Sequence, residues 1–143
     1  MKLATVEDYD SICLLFKKYK HIFPHIRFDY IKRSIEEGKV IYQDDVVIIF
    51  NKYKRTQAQG HLNAQKGDYH LKQIAIAEQG KGNAREVVEQ FFAMAHADNA
   101  PVWLSVRSDN ERARAFYTKV GMKEVSETSW AKGAILGTIY KKD

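Results

Sequence analysis

Ile74-Ala75-Ile76-Ala77-Glu78-Gln79-Gly80-Lys81-Gly82-Asn83-Ala84-Arg85 is the stretch whose reading decides the fold. It reads as a buried strand, a sharp turn carrying Gly80 and Gly82, and the start of a helix that runs to about Asp98. The glycines let the backbone turn tightly and approach a ligand closely. The turn delivers the chain to a helix N-terminus, whose first amide N–H groups have no partner within the helix. Those amides and the positive end of the helix dipole favour a bound anion, phosphate above all. Lys81 and Arg85 add positive charge at the same place. The residues alone leave two readings open, a phosphate-binding strand–loop–helix and a plain structural turn. Two common phosphate loops are excluded. The spacing of a P-loop is absent, and the dinucleotide pattern G-x-G-x-x-G fails because Arg85 and Glu86 stand where its third small residue belongs.

A second pattern lies further along. Asn110, Ala113, Phe116, Tyr117, Gly121 and Met122 follow the strand-like run Val102-Trp103-Leu104-Ser105-Val106. Together with Gln79, Gly80, Gly82 and Ala84, these residues resemble the two signatures of the GNAT superfamily of N-acetyltransferases. One is Gln/Arg-x-x-Gly-x-Gly/Ala after the fourth strand. The other is Asn-x-x-Ala-x-x-aromatic-Tyr-x-x-x-Gly-aromatic/Met after the fifth. The resemblance covers residues 72–125, and two motifs in the right order are far more specific than either alone.

The rest of the chain reads compatibly. At 143 residues it is long enough to bury a core as one domain over residues 1–143. Hydrophobic residues make up 45% and charged residues 29%, as in ordinary globular proteins. The net charge of +5 favours anionic ligands and also allows a nucleic acid or an acidic protein surface. Cys13 is the single cysteine, so no internal disulfide forms, and a reducing cytoplasm is expected. No apolar run reaches the roughly 20 residues that span a bilayer, and no apolar leader is evident.

Thr5 reads as an N-cap before a helix whose apolar face is Tyr9, Ile12, Cys13, Phe16 and Tyr19. The spacing places Cys13 in the core. Lys17, Lys18, Lys20, His21, His25 and Arg27 form a basic run broken at Phe23-Pro24. A second helix follows, with Asp29 as N-cap and Gly38 as its stop. Val40–Gln43 and Val46–Phe50 form a hairpin across Asp44-Asp45. Residues 54–68 are polar and give no register. Leu71–Ala77 is a strand, residues 83–97 a helix with a stripe through Ala84, Val88, Phe91 and Ala95, and Asn110 begins a helix ending at Gly121. Lys123–Ser126 and Ala134–Tyr140 close the chain as strands. The order is that of an α+β fold. The resemblance implies a GNAT-like mixed, mostly antiparallel central sheet with splayed fourth and fifth strands, flanked by about four helices.

By the same resemblance the protein is an acyltransferase. It would move the acetyl group of acetyl-CoA directly to a primary amine, on a small molecule or a protein, through a ternary complex, with no metal. The backbone of Ile74, Ala75 and Ile76 would pair with the pantetheine arm and face the thioester carbonyl. The connection after this strand is shorter than in many members and lacks proline, so the oxyanion donor is assigned to that stretch and not to one residue. Gln79, Gly80, Lys81, Gly82, Asn83, Ala84 and Arg85 would hold the pyrophosphate. Asn110 and Ala113 would contact the CoA arm, and Tyr117 would be the general acid beside the sulfur. His70, Asp68 and Glu78 are candidate bases, His70 first because its ordinary pKa lies near neutrality. A water chain would also serve.

Two other classes stay open at this point. One is a CoA-binding module without activity. The other is a basic nucleic-acid-binding protein, although no nucleic-acid motif is present. The acceptor amine is not legible. No membrane partner is expected, and monomer and homodimer both remain, since an edge strand near the C-terminus could pair with a second copy.

Overall fold

The computed structural model describes residues 2–18, 27–76 and 83–143. Two compact units emerge, Met1–Phe50 with Lys72–Gln90, and Asn51–Leu71 with Phe91–Asp143. The elements in order are a 3-10 turn (Val6–Asp8), α1 (Tyr9–Lys18), α2 (Phe28–Glu36), β1 (Val40–Gln43), β2 (Val46–Lys52), β3 (Gln57–Gln59) and β4 (Leu62–Ala64). Then come β5 (Tyr69–Ile76), α3 (Asn83–Ala97), β6 (Val102–Arg107), α4 (Glu111–Lys119), β7 (Lys123–Trp130) and β8 (Ile135–Lys142). Six strands form one sheet in the order β1-β2-β5-β6-β8-β7, and β3 pairs with β4 separately. The pairing is antiparallel for β1–β2, β6–β8 and β7–β8, and parallel for β5–β6. β5 and β6 are the strands that precede the two sequence motifs. Their registered pairs are Tyr69 with Val102 and His70 with Trp103, at the start of both strands.

The first unit is built on apolar periodicity. Ile12, Cys13, Leu15 and Phe16 of α1 pack with Ile31 and Ile35 of α2 and with Val40, Val47, Ile49 and Ala75 of the strands. Cys13 is a core residue, as its position on the apolar stripe predicts. Thr5 starts the helical segment through a reciprocal cap with Asp8, whose carboxylate accepts from the Thr5 N–H at 2.9 Å. The cap of α2 differs from expectation. Arg27 is the extended residue before the helix, and Asp29 lies inside the first turn, within 3.4 Å of the Arg27 guanidinium. The β1–β2 turn uses Asp44 and Asp45, both at positive φ (51° and 60°), as a two-residue hairpin requires. Tyr19, His21, Phe23, Pro24 and His25 lie outside the described residues.

In the second unit, Tyr53, Ala64, Trp103 and Ile139 form a small core flanked by Leu62 and Val125. The polar segment after β2 contains the β3–β4 hairpin. Its tip is tied to β7, where the His61 N–H donates to Ser126 Oγ (3.0 Å) and Ser126 Oγ bonds His61 Nδ1 (2.7 Å). β7 runs four residues further than the sequence suggests. Its outer half, Glu127 to Trp130, is largely polar, and a bulge between Glu124 and Ser126 breaks the alternation. The Trp130 ring covers Gly137 so closely that a Cβ there would meet the indole.

Candidate active site

The described candidate residues are placed by local features that their sequence explains. Ile74, Ala75 and Ile76 end β5, with Ala75 buried and its neighbours half-buried. Gln79, Gly80, Lys81 and Gly82 lie outside the described residues. Asn83, Ala84 and Arg85 form the first described turn of α3. Ala84 is buried, whereas Asn83 and Arg85 are exposed. Arg85 Nε reaches Glu89 at 3.0 Å, one turn along the same helix.

Asn110 caps α4. Its Oδ1 accepts the Ala113 N–H at 3.1 Å, satisfying one of the helix's orphan donors. Ala113, Phe116, Tyr117 and Val120 then follow at helical spacing and form the inner stripe. Gly121 ends the helix at φ 94°. Tyr117 is 8% exposed. Its ring lies 5.8 Å from those of Phe116 and Tyr140. Burial pushes its phenol up to about 12, because the phenolate would lose its hydration. At neutral pH it is therefore a protonated donor.

His70, on β5, is half-buried and stacks on Tyr53 with centroids 5.3 Å apart. Asp68 is committed elsewhere: its Oδ2 accepts the Trp103 indole N–H and the Gln65 N–H, both at 2.9 Å. Glu78 lies outside the described residues.

One group was not singled out by sequence reasoning. Arg114 donates to the Ser108 carbonyl (2.8 Å) and to the Tyr140 hydroxyl (3.3 Å), and pairs with Glu124 (3.2 Å). It ties the start of α4 to β7 and to the ring that packs on Tyr117. The available signal was Arg114's place inside the second motif, beside Ala113. Its partners come from the turn after β6, from β7 and from β8, and leave no periodic trace.

The acetyltransferase (GNAT) family pattern matches residues 11–122. The chain belongs to the GNAT acetyltransferase family. It is an acyltransferase by that membership, and its sheet and helices agree with solved members of the fold. Ard1 from Thermoplasma volcanium is similar with a TM-score of 0.74 at 16% identity, over 99% of this chain and 94% of that one. A putative acetyltransferase from Staphylococcus aureus is similar at 0.71 and 18%, over 99% and 97%. Arabidopsis thaliana NAA60, solved with a bisubstrate analogue, is similar at 0.70 and 10%, over 99% and 96%. No curated protein sequence matches the chain. Among the described residues of this GNAT protein, no helix is long and apolar enough to cross a membrane. Among them, too, no cluster of three or more His, Cys, Asp or Glu side chains could hold a metal ion.

Proposed function

We propose that this GNAT protein transfers the acetyl group of acetyl-CoA directly to a primary amine, on a small molecule or a protein, within a ternary complex. We also propose that residues 1–143 act as one catalytic domain, in the cytoplasm, as monomer or homodimer. The observation that carries the reading is Tyr117: a buried phenol, on a helix capped by Asn110, held protonated well above neutral pH. Such a group can give a proton to a departing thiolate.

Acetyl-CoA, when bound, supplies an activated thioester carbonyl and a thiolate leaving group. The chain has four tasks around it. The backbone of Ile74, Ala75 and Ile76 pairs with the pantetheine amides as an added strand would, and offers an N–H to the carbonyl oxygen as charge develops there. The amides of Asn83, Ala84 and Arg85 at the start of α3, with Gln79, Gly80, Lys81 and Gly82 of the sequence motif, would hold the pyrophosphate. Asn110 and Ala113 contact the CoA arm, and Tyr117 protonates the sulfur. The fourth task is to receive the amine's proton, assigned to His70 or to water. A His70→Asn variant that leaves the acidic limb of the pH–rate profile unmoved rules out the histidine. Direct transfer is favoured because the only cysteine, Cys13, is buried in the core and is not placed to carry an acyl group.

A thermal-shift titration with acetyl-CoA, CoA, ATP and NAD tests the reading. A ligand at about 100 times its dissociation constant adds about 2.7 kcal/mol, which raises the melting point by several degrees in a domain of this size. Acetyl-CoA and CoA are expected to produce the rise and ATP and NAD are not. A folded, ligand-free protein that ignores both CoA species would refute the assignment.

A further inference from the structure

Charge is divided unevenly along this chain. The unit Met1–Phe50 with Lys72–Gln90 carries eleven basic and eleven acidic residues, whereas the unit Asn51–Leu71 with Phe91–Asp143 carries twelve and seven. The whole net charge of +5 therefore belongs to the second unit. Within it, most of the described acids are engaged. Asp98 takes Lys52 and the Tyr69 hydroxyl, Asp109 takes Arg107, Glu124 takes Arg114, and Asp143 takes Lys141. Asp68 is buried against Trp103.

Eight of the twelve basic residues of this unit are in no ion pair among the described residues, and Lys54, Arg55 and Lys66 are three of these. All three are exposed, and among the described residues none of them is in an ion pair. They also lie together. Two links cross the base of the β3–β4 hairpin, Thr56 Oγ1 to Gln65 Oε1 at 3.3 Å and Gly67 N–H to the Tyr53 carbonyl at 2.8 Å. Lys54 and Arg55 on one side and Lys66 on the other fall between those links. Lys54, Arg55 and Lys66 lie just outside the paired residues Gln57–Gln59 and Leu62–Ala64, and like charges brought together there repel. Here the arrangement is kept, with the tip of the hairpin fixed to Ser126. The outward residues of the ribbon above it are Thr56, Ala58, Asn63 and Gln65, all exposed.

We propose that this hairpin docks the phosphate backbone of a nucleic acid. Clustered, unpaired Lys and Arg side chains match phosphate charge, and Thr, Asn and Gln side chains are the neutral groups that bond phosphate and sugar oxygens. An acidic protein partner fits less well, because stable protein interfaces centre on a buried aromatic or aliphatic anchor. On this outward face Ala58 is the sole apolar side chain. The docking would be sequence-independent, and it stands whether or not the chain transfers acetyl groups.

Fluorescence anisotropy of the full chain with labelled oligouridine, from low to physiological salt, is the test. Binding is expected at low salt, with log affinity falling linearly against log salt. The variant K54Q/R55Q/K66Q should lose about ten-fold in affinity or more, and its salt slope should flatten by about 2, as removal of three contacts to a single strand implies. A control, K2Q/K32Q/R33Q, removes the same charge from the neutral unit and should cost much less. The charge-keeping K54R/R55K/K66R should bind as the parent does, which separates lost charge from lost folding. The proposal is overturned if oligouridine does not bind at low salt, if both charge-removing variants lose equally, or if a polyglutamate peptide binds as tightly as oligouridine.

Discussion

Helix α4 and the β3–β4 hairpin belong to the same compact unit, yet they are held by different forces. α4 has a cap at Asn110, a stop at Gly121 and an apolar stripe through Ala113, Phe116, Tyr117 and Val120. Each feature is local, repeats at helical spacing, and can be read along the chain. The hairpin has almost no such stripe. It is fixed by a few directional contacts: His61 with Ser126 and, at its base, Asp68 with Trp103, both far apart in sequence, and Gln59 with the nearby Tyr53 hydroxyl. Burial distributes the stability of α4 over many atoms. The hairpin concentrates it in a handful of polar groups and one close approach at Gly60.

Substitution at Gly60 should separate the two regions most sharply. Gly60 has φ 62°, and a Cβ there would run into Ser126 Oγ and the Glu127 carbonyl. A left-handed β-branched residue and an overpacked contact each cost about 1–3 kcal/mol. Gly60→Val should therefore lower stability by roughly 2–4 kcal/mol, as measured by urea unfolding. A loss within ordinary surface scatter would show that the tip is not held as described.

Removing the carboxylate of Asp68 comes next. Asp68→Ala leaves the buried Trp103 indole N–H without its acceptor, at a cost of about 1–3 kcal/mol. A double-mutant cycle with Trp103→Phe should recover part of that cost. Additive losses would mean that the bond contributes nothing of its own.

For α4 the matching change is Asn110→Ala. It deletes the cap bond to the Ala113 N–H and should cost about 1 kcal/mol. Such a loss is smaller than that at Gly60 because the stripe still anchors the helix. A larger fall than for Gly60→Val would reverse the contrast between the regions.

The smallest effect expected at ordinary pH comes from the phenol of Tyr117. Its folded pKa, about 12, lies above the ordinary value of 10.0, so the folded state holds a proton that the unfolded chain gives up first. That contribution is complete below pH 10 and is lost as pH rises from there through about 12. Tyr117→Phe should flatten this alkaline fall in stability. An unchanged slope would place the phenol in water.

The same contrast explains what was legible in advance. The bounds of α3 and the cap and stop of α4 follow from stripes and turn residues, and the β1–β2 hairpin from β-branched runs on either side of Asp44-Asp45. Cys13 was legible as core for the same reason. The β3–β4 hairpin was not, because Gln57, Gln59, Asn63 and Gln65 give no apolar alternation. The outer half of β7 was hidden by its polar residues and its bulge. At the candidate site, Asn110, Ala113 and Tyr117 stood out because a motif joins them on one helix. Arg114 did not, since its partners Ser108, Glu124 and Tyr140 meet only in three dimensions. His70 and Asp68 looked equivalent as bases in sequence. The structure separates them, with Asp68 bonded to Trp103 and His70 stacked on Tyr53.

The central claim is that Tyr117 serves as the proton donor of an acetyl transfer. The most direct measurement is CoA release from acetyl-CoA across a panel of primary amines, comparing the parent chain with Tyr117→Phe. The account predicts release by the parent chain. It predicts a fall in kcat of about 10²–10⁴-fold in the variant, with acetyl-CoA still raising its melting point. A Tyr117→Phe enzyme that releases CoA as fast as the parent would contradict it.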